Sequence, residues 1–176
     1  MQEQLRAVAQ THSEERAQVS SKVYAEGLVA GALGAATLAI WFLILDSLEG
    51  RPLYTPTLLG TALFRGTAAA LDSPHTLPAS FDMALVFTWV HALIFTLVGG
   101  AASRLLAIAE RTPNLGFGIL LFFVIFECGF VVGTTLFAEA VLHVLAWPAV
   151  LVGNVLAAGA MAAYLWRRHP NLRVEP

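Results

Sequence analysis

The chain has 176 residues, of which 57% are hydrophobic and 12% charged. Soluble domains carry about 25% charged residues, so this balance excludes an ordinary water-soluble fold and places the chain in the membrane class. A net charge of −2 without a basic stripe argues against a nucleic-acid partner, and the single Cys128 rules out a disulfide framework or cysteine-based zinc site within one chain.

Residues 1–22 mix charges of both signs with good helix formers. They predict a short helix or solvated leader outside the membrane, too polar and acidic for a cleaved signal peptide. A first span is expected over 23–45. Gly27, Gly31 and Gly34, with Ala30 and Ala35, make a small-residue face where another helix can approach closely. Trp41 and Asp46 mark its far end.

Residues 47–82 read as one long outer loop. Thr55 is a candidate N-cap with Pro56 at the first helical position, and Leu58, Leu59, Ala62 and Leu63 follow at helical spacing. This segment is too short to cross a bilayer, so an interfacial helix is expected between spans 1 and 2. The stretch LDSPHTLPAS then breaks the chain with two prolines.

A second span is expected over 83–108, with His91 in its first third and Gly99 and Gly100 opening a small-residue patch. A third is expected over 116–145 and a fourth over 149–166, separated by Ala146–Trp147–Pro148. The fourth carries Gly153 and Asn154 and closes with Arg167 and Arg168. Asn154 predicts one interhelical hydrogen bond, worth about 0.6 kcal/mol. Residues 169–176 remain as a tail. The sequence thus predicts an all-α integral membrane protein, a bundle of four transmembrane helices with a short interfacial helix.

With four spans both termini share a side. That side holds Arg6, Arg16, Lys22, Arg104, Arg111, Arg167, Arg168 and Arg173, against Arg51 and Arg65 opposite. By the positive-inside rule both termini are cytoplasmic and the loop faces outward, in the expected setting of a prokaryotic cytoplasmic membrane.

The third span carries the most polar chemistry. Ionisable groups in hydrocarbon cost roughly 3 kcal/mol on insertion scales, so Glu127, Glu139 and His143 each ask for a reason. At about 100° per residue, Cys128, Val132, Thr135, Glu139 and His143 fall on one stripe and Glu127 on another. The two carboxylates, about 18 Å apart along the axis, are not a general acid/base pair. Gly129 and Gly133 form a third, small-residue face.

Three functions follow as expectations. The first is a non-catalytic accessory or structural subunit of a larger membrane complex, with energy-transducing assemblies among the candidates. It rests on the packing faces and on the absence of a nucleophile–base–orienter set, phosphate loop or HExxH motif. The second is a small transporter or proton-conducting protein centred on Glu127, although no repeat or proline-broken span supports it. The third is a metal- or haem-binding protein using His91, Glu139 and His143, for which the paired Glu-x-x-His motifs of a ferritin-like site are missing. The expected partners are lipid and either other membrane subunits or a second copy of the chain. The sequence requires no cofactor.

Overall fold

The computed structural model describes residues 1–72, 74–111 and 147–169. The expected third span, with Glu127, Gly129, Gly133, Glu139 and His143, lies outside the described residues, as do residues 170–176. Every regular element among the described residues is helical, and no strand occurs there.

Helix α1 runs Gln2–Leu48, 47 residues without interruption. At 1.5 Å per residue it is about 70 Å long, and its stretch Ser21–Leu48 is long and apolar enough to cross a membrane. The sequence predicts a separate leader over 1–22, whereas the helix passes Lys22 unbroken. No glycine or proline occurs between Gln2 and Glu26, so nothing local stops a helix there.

The C-terminus of α1 is closed by a Schellman turn. Gly50 N–H donates to Ser47 O and Arg51 N–H to Asp46 O, while Gly50 takes φ +71°, a conformation that favours glycine. Helix α2, Tyr54–Arg65, follows where the interfacial helix is expected. Gly66, at φ +93°, separates it from the short α3, Thr67–Leu71, and a 3₁₀ turn covers Pro74–Thr76.

Helix α4, Phe81–Arg111, is started by Ser80, whose hydroxyl accepts the Met83 N–H at 3.4 Å. Helix α5, Trp147–Arg168, carries Pro148 in its first turn, where the missing N–H leaves no bond unmade. Phe81–Glu110 and Trp147–Arg168 are also long and apolar enough to cross a membrane. The described residues therefore hold three candidate spans.

Helix α1 is the hub. It runs antiparallel to α4, since Val23 meets Ser103 while Gly31, further along, meets Phe95. It also runs antiparallel to α5, with Glu26 beside His169 and Trp41 beside Ala149. Helices α4 and α5 are consequently parallel to each other. The end of α4 and the start of α5 lie at opposite ends of the bundle: the basic end, with Arg104, Arg167 and Arg168, and the loop end, under α2.

Small residues allow the approach of α1 to α4. A methyl group added at Gly27 would stand 2.6 Å from the Gly100 Cα, one at Gly31 would strike the Phe95 carbonyl, and one at Gly99 the Gly27 carbonyl. On the α5 side, a methyl at Gly34 would meet the Met161 sulfur and one at Gly153 the Leu38 and Trp41 side chains. Gly100 is different. It forms the wall that Gly27 approaches, while its own methyl position is open.

The core between the three helices gathers Ala30, Ala102, Met161 and Leu165, with Phe95 and Leu106 packed against them. The opposite faces are bare and apolar: Trp89 is 65% exposed, Leu97 74%, Val155 62% and Trp166 66%. Water would not tolerate such a surface on a stable monomer, whereas a bilayer matches it.

Candidate functional site

The polar chemistry of the described residues is concentrated at the two ends of the bundle. At the loop end the organising residue is Asp46, in the last turn of α1 and 4% exposed. Its Oδ2 accepts the Thr55 N–H at 2.8 Å and its Oδ1 accepts the Thr55 hydroxyl at 2.7 Å. The sequence predicts Thr55 as the N-cap of the loop helix. The helix instead begins at Tyr54, with Thr55 as its second residue, and the capping oxygens come from Asp46.

All backbone donors of the first turn of α2 are thereby used. Tyr54 N–H donates to Arg51 O at 3.1 Å, Thr55 N–H goes to Asp46, Pro56 has no N–H, and Thr57 N–H reaches Leu53 O at 3.1 Å. Leu53, which precedes the helix, sits at φ +67°. For a leucine that conformation costs about 1–2 kcal/mol, and the surrounding bonds hold it. Beside it Arg51 lies over the Tyr54 ring at 4.0 Å and donates to Glu49 at 2.7 Å, a bond that raises its pKa further.

Helix α2 is fastened to α4 as well. Thr57 Oγ1 accepts the Ser80 N–H at 3.2 Å and donates to the Ser80 carbonyl at 3.3 Å. A methyl at Gly60 would strike the Met83 carbonyl. Beneath α2, Tyr54, Leu58 and Ala70 form a small apolar cluster with Phe42, Leu77 and Val150.

At the basic end, three helices meet at His169, the residue just after α5. Its Nδ1 lies 2.8 Å from Glu110 Oε1 of α4, and its Nε2 lies 3.3 Å from Glu26 Oε2 of α1. The His169 side chain is 9% exposed, that of Glu26 10% and that of Glu110 35%. The Nε2 contact is short enough for charge attraction, but its direction is off, so Nε2 has no hydrogen bond. On the α1–α4 seam nearby, the buried Ser103 hydroxyl donates to Val23 O at 2.9 Å.

Of the sequence candidates within the spans, His91 and Asn154 are described. His91 lies between Phe87 and Phe95 on α4, with ring centroids 5.7 Å and 4.6 Å away. No hydrogen bond joins it, or Asn154 on α5, to another described residue. The bond that does cross from α1 to α5 is Trp41 Nε1–H to Ala149 O at 2.8 Å. The joint arrangement of His91 with Glu139 and His143, and the surroundings of Glu127, lie outside the described residues. Among the described residues no group of three or more His, Cys, Asp and Glu side chains could hold a metal ion.

Glu26, Glu110 and His169 were not singled out by the sequence, which assigns His169 to the tail. A reading of span ends could have found them, because Glu26 and Glu110 are the carboxylates nearest the basic ends of spans 1 and 2. Comparison with protein-family models, with curated proteins and with solved structures finds no match to this chain.

Proposed function

We propose that the chain is a non-catalytic accessory subunit of a larger integral membrane assembly. The observation that carries this reading is how its buried polar side chains are used. Among the described residues Thr61 bonds back to its own helix, while Asp46, Thr55, Thr57, Ser103, Glu26 and His169 each tie one element to another. Polar groups used this way give a bundle one geometry and leave its apolar outer faces as contact surface.

In this proposal residues 116–145 form the third of four spans. Support comes from the parallel course of α4 and α5, which leaves Arg111 and Trp147 at opposite ends of the bundle. The basic end is cytoplasmic by the positive-inside rule, and the membrane is the cytoplasmic membrane of a prokaryote. Helix α2, clamped to α1 and α4, is an interfacial ledge on the outer side, suited to a docking partner.

The test is extraction of the tagged full chain from its native membrane in mild detergent, with mass spectrometry of what accompanies it. Stoichiometric co-purifying membrane proteins are expected. A single species that carries protons into vesicles, and loses that activity as Glu127→Gln, would replace this reading with transport.

A further inference from the structure

We infer that His169, Glu26 and Glu110 form a proton-dependent clasp that holds the ends of α1, α4 and α5 together at the basic end. A neutral imidazole has one N–H, whereas the imidazolium has two, one at each nitrogen. Here both nitrogens face carboxylate oxygens, Nδ1 at 2.8 Å and Nε2 at 3.3 Å. With the proton on Nδ1, the shorter contact is a bond donated to Glu110.

On the other side, a proton held between Nε2 and Glu26 gives an attractive contact. Without that proton, the Nε2 lone pair faces the oxygen lone pairs of Glu26 in a site almost closed to water, where an unpaired polar group is costly. The 3.3 Å separation and the missing hydrogen bond at Nε2 mark this as the weaker of the two contacts. It is the one that protonation decides. Closing it needs only a small rotation of the ring or the carboxylate. Losing the proton releases Glu26, and with it the adjoining turn of α1, from the end of α5.

Among the described residues the neighbouring charges leave this balance to the three. Glu26 is presented by α1 and Glu110 by α4. On the α5 side Arg168 stands over the Tyr164 ring at 5.6 Å, and on α4 Arg104 reaches the Tyr24 hydroxyl at 3.4 Å. Arg167 and Lys22 are exposed. Among the described residues the cationic partner of both carboxylates is His169. Only the imidazolium has a donor for each carboxylate, so the clasp is closed in that form and opens when the proton is lost.

The experiment uses the full chain in lipid nanodiscs with Cys128→Ser. Spin labels are carried on Ala25→Cys of α1 and Ala162→Cys of α5, two exposed positions outside the cluster. The distance distribution between the labels is expected to be narrow at about pH 5 and to broaden and lengthen at about pH 8. In His169→Gln this response is lost. In Glu26→Gln the distribution stays narrow at both pH values, because the amide N–H donates to the neutral Nε2. Invariance of the wild-type distribution with pH overturns the proposal. So does a wild-type response that persists in both variants.

Discussion

Asp46 shows how much one side chain can do at a chain reversal. Its backbone carbonyl closes the end of α1 and its carboxylate opens α2, so one residue joins two helices through three bonds. Replacing it with alanine leaves the buried Thr55 N–H and hydroxyl without partners. That costs about 1–3 kcal/mol, read as a lower thermal midpoint in detergent and faster proteolysis within 49–80. Asp46→Asn is expected to lose much less, because the amide can accept the N–H while the Thr55 hydroxyl turns to accept in return. Equal losses in the two variants would show that the charge, not the hydrogen bonding, matters. The sequence marks Asp46 as a rim residue but does not reveal this role. A cap is normally sought immediately before its helix, and this one lies nine residues upstream behind a Schellman turn. His169 was less legible still. Its partners stand far away in the chain, and only the antiparallel course of α1 against α4 and α5 brings them together.

The elements were far easier to read than the contacts between them. Long apolar runs with polar ends announce the helices; α4 and α5 extend two or three residues beyond the expected spans at each end, and α1 continues through the whole of the expected leader. The small-residue faces were legible for a physical reason: only glycine and alanine permit backbones to touch. Which glycine matters most was not legible, since that depends on helix rotation. Gly31→Ala drives a methyl into the Phe95 carbonyl. Overpacking of this kind costs about 1–3 kcal/mol, and more where backbone must move. Gly100→Ala meets open space and is expected to leave stability nearly unchanged, apart from the tighter wall it offers Gly27. Thermal unfolding of the two variants side by side checks this. A Gly100→Ala loss as large as that of Gly31→Ala would mean that α4 is rotated from the orientation described.

For the molecule as a whole, the parallel pair α4 and α5 makes a topological demand that can be tested without further structure. If α4 ends at the cytoplasmic face and α5 begins at the outer one, reporter domains fused after Arg111 and before Trp147 should report opposite sides of the membrane. Fusions reporting the same side would remove the span over 116–145 and the shared location of the termini.

The hydrogen bond from Trp41 to the Ala149 carbonyl joins residues 108 positions apart, whereas Ser103 and Val23, on the α1–α4 seam, are 80 apart. Membrane helices insert before they associate, and chains emerge from the ribosome N-terminus first. Helices α1 and α4 can therefore pair while α5 is still being made, leaving the Gly34–Leu38–Trp41 groove of α1 temporarily vacant. Maturation then has an order, with the glycine seam zipping first and α5 docking last. Cysteine pairs placed across each seam in pulse-labelled chains should cross-link in that sequence, and simultaneous appearance would rule it out. The half-built bundle, with one groove of its hub helix unfilled, is the stage at which a membrane chaperone or protease has something to recognise.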